Sequence, residues 1–198
     1  PRKRRTVACW TKGTQMIKFV GSFETVASLP RTQFPEYAFI GRSNVGKSSL
    51  INAVLGQNVA RTSNTPGRTQ TINLFNLDDR VMIVDLPGYG YARASRADAM
   101  RWLARLEEYL MTRKLARLYI LIDSRIGARA SDLDLMDFCD VHGIGYQVVM
   151  TKKDKRVREN EQHALSHENH PAMMAEVLET SAEKKFGLEV IRAQIGIK

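Results

Sequence analysis

Between residues 41 and 48 the chain reads Gly-Arg-Ser-Asn-Val-Gly-Lys-Ser, and this run limits the fold more than any other stretch. It matches G-x-x-x-x-G-K-[ST] in full. Tyr37-Ala38-Phe39-Ile40 before it reads as a strand, and Lys47 to Leu55 after it as a helix. Strand, glycine turn and helix in that order are the setting in which such a run wraps a phosphate. Glycine lets the backbone come close, so amide N–H groups point at anionic oxygens. The helix N-terminus adds the positive end of its dipole. Lys47 is then expected to reach the β- and γ-phosphates of a nucleotide, and the Ser48 hydroxyl to ligate Mg²⁺.

The rest of the chain alternates in the same way. Thr71 to Leu77 and Val81 to Asp85 are predicted strands joined by Asp78-Asp79-Arg80. Ser95, with Asp98 three residues on, starts a helix. In it Trp102, Leu103, Leu106, Tyr109 and Leu110 share one face. Leu118 to Asp123 reads as a buried strand, and Ser131 caps a helix through about His142. Tyr146 to Thr151 and Val177 to Thr180 are further strands, and Gly187 to Ile195 a final helix. Met16 to Phe23 forms a short lead-in strand, with Pro30 and Pro35 bracketing a linker. Such alternation implies an α/β fold with a mainly parallel sheet covered on both faces. Ligands in such sheets bind beyond the carboxyl ends of the strands.

Three more motifs fall at those ends. Asp85-Leu86-Pro87-Gly88 closes one strand. An Asp there can hold Mg²⁺ through water, and the Gly88 backbone N–H can meet a γ-phosphate. Thr151-Lys152-Lys153-Asp154 closes another. The Asp154 carboxylate can accept from both N1–H and N2–H₂ of guanine, a pattern adenine does not offer. Lys152 would lie along the base with its stem. Glu179-Thr180-Ser181-Ala182 completes the pocket, where backbone N–H groups near Ser181 and Ala182 can face guanine O6.

Charge and composition narrow the classes. Lys and Arg number 30 against 21 acids, a net +9, which makes an acidic partner worth considering. The first acid is Glu24, so residues 1–15, with Arg2, Lys3, Arg4 and Arg5, read as a basic flexible arm. A second basic stretch, Arg93, Arg96, Arg101, Arg105, Arg113, Lys114 and Arg117, offers a solvated or RNA-facing surface. The longest clean apolar run, Leu118 to Ile122, is far short of the roughly 20 residues a bilayer needs, so no membrane span is expected. Cys9 and Cys139 read as free thiols of a reducing compartment. His163, His167 and His170 cluster without the acidic pattern of a metal site and read as surface residues. The chain begins at Pro1 rather than Met, as expected of a fragment or a processed form.

Taken together the motifs look like a small GTPase of the translation-factor-related class. Gly41 to Asn52, the switch segment Thr65-Pro66-Gly67-Arg68-Thr69-Gln70, Asp85-Leu86-Pro87-Gly88-Tyr89-Gly90-Tyr91-Ala92 and Thr151 to Asp154 resemble the EngB (YihA/YsxC) family. The resemblance spans about residues 19 to 195. It implies a Ras-like P-loop GTPase fold, three-layer αβα, with a six-stranded sheet and one antiparallel strand. Residues 16–198 would form a single G domain. It further implies GTP and GDP binding, Mg²⁺, and a role in assembly of the large ribosomal subunit, whose precursor would be the partner. The family is also linked to division septum formation. A monomer bound within a large assembly is expected, in a bacterial cytoplasm or a mitochondrial matrix.

By the family pattern, Thr69 joins Ser48 and Asp85 on Mg²⁺ in the GTP state. Lys47, Thr69 and Gly88 would carry catalysis. Gly41, Arg42, Ser43, Asn44, Val45, Gly46, Ser49, Gly67, Arg68, Gln70, Thr71, Leu86, Pro87, Lys153 and Thr180 would line the nucleotide beside the residues named above. Asn44 resembles the asparagine through which related GTPases coordinate K⁺. Thr151 stands where the guanine motif usually has Asn, a substitution normal in this family. Tyr89 stands where a Gln would orient the attacking water, so slow intrinsic hydrolysis accelerated by a partner is expected. Two other readings remain open from sequence: a GTP-dependent RNA- or protein-binding scaffold that scarcely turns over, and an ATP-dependent enzyme in which Asp154 is incidental.

Overall fold

A computed structural model of the chain describes residues 15–60, 71–89, 96–155 and 165–197. In order, the elements are β1 (Ile17–Phe23), β2 (Glu36–Gly41), α1 (Lys47–Leu55), β3 (Ile72–Leu77), β4 (Val81–Asp85) and α2 (Arg96–Thr112). There follow β5 (Leu115–Asp123), α3 (Ala130–Val141), β6 (Tyr146–Thr151), β7 (Leu178–Glu179) and α4 (Leu188–Ile195). The strands form one sheet in the order β1-β3-β4-β2-β5-β6-β7. β2, β4, β5, β6 and β7 pair in parallel, while β3 pairs antiparallel with both β4 and β1.

The pleat sorts the core into two layers. Ala38 and Ile40 of β2, with Leu118, Ile120 and Ile122 of β5, pack toward Leu106, Tyr109 and Leu110 of α2 and Met136 and Cys139 of α3. Phe39 between them, with Tyr119 and Leu121, packs toward Leu50, Ile51 and Val54 of α1 and Ile191 and Ile195 of α4. Successive residues alternate between helical layers, so both faces of the central strands are buried and the strands read as unbroken apolar runs. The three-layer αβα expectation holds, and β2 to β7 supply the expected six strands.

The lead-in strand adds a seventh. β1 lies antiparallel on β3, from Ile17 opposite Leu77 to Phe23 opposite Ile72. It is an edge strand with Phe19 59% exposed, so its composition carries little of a core signature.

Several boundaries differ from the sequence reading. β5 starts at Leu115, three residues early, because its first three residues are partly or fully exposed and lack the apolar run that marks its buried end. Paired β7 has only two residues. Leu103 is 46% exposed and leaves the expected α2 face, which is built by Leu106, Tyr109 and Leu110, with Trp102 packed beside it. The cap of α3 is not Ser131. Arg129 is the N-cap, and the Asp132 carboxylate accepts its backbone N–H at 2.8 Å, the reciprocal half of a capping box. The Ser95–Asp98 cap and most of the N-terminal arm lie outside the described residues.

Candidate nucleotide-binding site

The cradle starts at the end of β2. Gly46 caps α1 at φ 102°, a left-handed conformation, and Asn44 is also left-handed at φ 64°. These turns wind Gly41 to Lys47 back over the carboxyl edge of the sheet. Lys47, at 9% exposure, forms an ion pair with Asp85 at the end of β4, itself 3% exposed. The other Asp85 oxygen accepts from Asn73 Nδ2 at 3.2 Å. Both groups expected to serve the γ-phosphate and Mg²⁺ thus face one another. The donor set fits a hard divalent ion, since a hydroxyl and a carboxylate oxygen are the ligands Mg²⁺ takes.

The segment after Asp85 closes on the cradle. The Leu86 N–H donates to the Phe39 carbonyl at 3.0 Å and the Tyr89 N–H to the Gly41 carbonyl at 3.3 Å. The Ser43 N–H donates to the Tyr89 carbonyl at 2.9 Å. A Cβ on Gly88 would stand 3.1 Å from the Gly41 carbonyl and 3.4 Å from the Ser43 nitrogen, so this contact favours glycine. The Tyr89 side chain turns away from the cradle. Its hydroxyl donates to Asp132 Oδ1 at 2.7 Å, and its ring meets Trp102. Burial, then the charge of Asp132 and its hydrogen bond, push the phenol well above its ordinary range.

The base end is tied to the phosphate end. Lys152, left-handed at φ 56°, lays its ammonium between the Asn44 carbonyl at 2.6 Å and Asp123 Oδ2 at 2.9 Å. Thr151 Oγ donates to the Val45 carbonyl at 2.6 Å. The residue standing in place of Asn is therefore a strut between β6 and the cradle. Burial alone would raise the Asp123 carboxyl, but hydrogen bonds from Arg125 and Lys152 outweigh it and hold it down to about 2.

Asp154 follows in a single 3₁₀ turn, Lys153–Lys155, fully exposed at the rim. A hydrogen bond from the Ser181 side chain holds its carboxyl below the usual range. Thr180 is buried under the loop, where its N–H donates to the Met150 carbonyl at 2.7 Å. One expectation needs correcting. The Ser181 N–H donates to the Phe186 carbonyl at 3.0 Å, so it is not free to face guanine O6. Gly187 sustains this loop: at φ 67°, a Cβ there would fall 1.9 Å from the Glu179 carbonyl oxygen. A cleft of about 530 Å³ runs from Gly46 and Ser49 past Thr151, Lys152 and Asp154 to Thr180 and Ala182.

Gly41, Arg42, Ser43, Asn44, Val45, Gly46, Lys47, Ser48, Asp85, Leu86, Pro87, Gly88, Thr151, Lys152, Lys153, Asp154, Thr180 and Ser181 thus lie along the carboxyl edge. Thr71 starts beside it, its hydroxyl 3.3 Å from Asn73 Oδ1. Gly67, Arg68, Thr69 and Gln70 lie outside the described residues. The sequence reading missed Asp123 and Asn73. The end-of-strand rule that found Asp85 points equally to Asp123.

Two other expectations shift. Arg113 is not an outward basic residue: its guanidinium pairs with buried Glu36 and donates to the Pro30 carbonyl at 3.2 Å. Arg117 likewise reaches Gln147 at 3.3 Å. His170 is 5% exposed rather than on the surface, with Nδ1 2.7 Å from Asp140 Oδ2. The other Asp140 oxygen accepts the Ala172 N–H at 2.8 Å, so the cluster fastens the loop that leads into β7 to α3. No helix among the described residues is long and apolar enough to cross a membrane.

Comparison with known proteins gives a consistent picture. The family model described as 50S ribosome-binding GTPase matches residues 36–152. The probable GTP-binding protein EngB of Caulobacter vibrioides is 43% identical over 190 residues, covering 91% of this chain and 82% of that protein. Its counterpart in Bartonella quintana is 44% identical over 194 residues, covering 89% and 90%. A crystal structure of a probable GTP-binding protein engB is similar at TM-score 0.63 and 23% identity, over 81% of this chain and 96% of that one. Aquifex aeolicus Era bound to GDP·AlF₄⁻ is similar at TM-score 0.63 and 25% identity, over 83% and 57%. Era in complex with MgGDPNP and nucleotides 1506–1542 of 16S ribosomal RNA is similar in fold at TM-score 0.61 and 24% identity, over 84% and 57%.

Proposed function

Because this chain belongs to the EngB family of GTPases, we propose that it is a GTP-operated switch in assembly of the large ribosomal subunit. As a member of that family it binds GTP and GDP and hydrolyses GTP. The observation that carries the switch is the Lys47–Asp85 ion pair. Nucleotide calls on both partners, the ammonium for the β- and γ-phosphates and the carboxylate for a metal-bound water. Binding therefore has to part them, and Asp85 leads directly into Leu86-Pro87-Gly88. The nucleotide state reaches the surface through that segment. Ser48, Thr69 and, through water, Asp85 would hold Mg²⁺, which would offset phosphate charge. Asn44, exposed at the cradle, is the candidate ligand for K⁺.

The large-subunit precursor as partner is supported by the 50S ribosome-binding description of the matching family. With Arg113 and Arg117 engaged internally, RNA contact falls to other basic residues. A bacterial or organellar interior suits this role. The test is sedimentation with large-subunit precursors. The protein should co-sediment with a non-hydrolysable GTP analogue and dissociate with GDP; equal sedimentation in both would sink the switch.

Tyr89 favours a second reading. With its hydroxyl committed to Asp132, it cannot orient water. Turnover without a partner should be slow, and a scaffold would show no stimulation by ribosomal particles.

A further inference from the structure

Tyr89 and Asp132 meet in a buried corner, and neither lines the cleft. Tyr89 is 5% exposed and Asp132 2%. Asp132 Oδ1 accepts a hydrogen bond from the Tyr89 hydroxyl at 2.7 Å, while Oδ2 accepts one from the Arg129 N–H at 2.8 Å. Each carboxylate oxygen is thus committed, one to the segment after β4 and one to the start of α3. Trp102 of α2 reinforces the same place. Its Nε1–H donates to the Pro87 carbonyl at 3.2 Å, and its ring centroid lies 5.6 Å from that of Tyr89. The cradle enters from the other side through the Ser43 N–H bond to the Tyr89 carbonyl. The positive charge of Arg42 acts on both Tyr89 and Asp132, and its Nε is buried with no hydrogen-bond partner among the described residues.

Gly88 sits between these anchors. Its neighbour Pro87 is held by Trp102, and its neighbour Tyr89 by Asp132 and Ser43. A backbone amide fixed before its ligand arrives loses little conformational freedom when it binds. We propose that Asp132 is a positioning residue for γ-phosphate recognition: through Tyr89 it pre-sets the Gly88 amide, so discrimination of GTP from GDP depends on a carboxylate of α3 that never touches nucleotide. The proposal rests on the switch reading, in which Gly88 meets the γ-phosphate. GDP lacks that phosphate, so its affinity is set by the cradle and the base pocket and does not call on the anchor.

The experiment measures dissociation constants for GDP and a non-hydrolysable GTP analogue in the wild type, Tyr89→Phe, Asp132→Ala and the double variant. Tyr89→Phe removes one oxygen and keeps the ring against Trp102, so it preserves packing if Asp132→Ala unfolds the protein. Each single variant should weaken analogue binding about fivefold, the scale of one lost charge-assisted hydrogen bond reduced by remaining contacts. The double variant should be no weaker than the singles. GDP affinity should stay within about twofold. Equal loss for GDP and the analogue would mean the pair only supports packing, and would overturn the proposal. So would an unchanged analogue-to-GDP ratio, or additive loss in the double variant. A wild type that binds analogue and GDP alike would instead remove the switch reading on which the proposal stands.

Discussion

Lys47 and Asp85 form a closed ion pair at the centre of the cradle, each with less than a tenth of its surface exposed. Removing one partner of a buried pair leaves the other charge uncompensated, at about 3 kcal/mol or more. Lys47→Met should therefore lower the melting temperature of the nucleotide-free protein. It should also weaken GTP binding by at least about 100-fold, if the same ammonium serves the phosphates as proposed. Calorimetric titration beside a thermal melt reads both. Unchanged affinity would dissociate Lys47 from the phosphates.

Thr151→Val keeps shape and deletes the hydroxyl that donates to the Val45 carbonyl at 2.6 Å. A buried carbonyl losing its donor costs about 1–2 kcal/mol. Denaturant unfolding should show that loss, together with weaker binding of GTP and GDP alike, since the strut supports the cradle rather than one phosphate.

Asp154→Asn replaces an acceptor by a group that also donates, against the two donors of guanine. GTP affinity should fall by about 100-fold or more, and xanthosine triphosphate, with a carbonyl in place of the amino group, should gain. Competition binding checks this; a variant that still prefers guanine would move base recognition elsewhere.

Acid stability should report on Asp123, held at about 2 against an ordinary 3.8. Its folded-state value is depressed, so the stabilisation is complete above the unfolded value and is lost as pH falls through the folded one. That window runs from about pH 4 down to about pH 2 and is worth about 2 kcal/mol. Asp123→Asn should flatten this part of the pH–stability curve. It should also loosen Lys152 and weaken nucleotide binding at neutral pH.

Gly187→Ala places a methyl 1.9 Å from the Glu179 carbonyl oxygen. The loop carrying Ser181 and Ala182 must shift, at a cost of about 3 kcal/mol or more. Guanine affinity should fall with stability in the same variant, read by melting and by titration.

Much of this site is visible in the sequence because its pieces lie at strand ends with fixed spacing. The Gly41–Ser48 run, Asp85–Gly88 and Thr151–Asp154 need only local patterns to be placed, and the alternation of elements assembles them. What escaped depends on pairs far apart in the chain. Asp132 reads as one more acid in an amphipathic helix until Tyr89, 43 residues earlier, is seen against it. His170 reads as a surface histidine because Asp140, 30 residues earlier, carries no sequence mark as its partner. Arg113 joins a run of basic residues, and only Glu36, 77 residues earlier, shows that it turns inward. β1 is short, exposed and at an edge, so its pairing depends on β3 and not on its own pattern.

Arg192 of α4 donates to the Val54 and Ala53 carbonyls at 2.9 and 2.7 Å, at the far end of α1. The guanidinium also sits where the helix dipole is negative. The helix that opens at the cradle is thereby clamped at its tail and braced at its head by Thr151. It behaves as a fixed post: an arriving nucleotide cannot drive it backward. Displacement on loading must then be taken up on the opposite side of the phosphates, by the Asp85 side chain as its ion pair with Lys47 parts. Which part of the domain moves is decided by which part is bolted down.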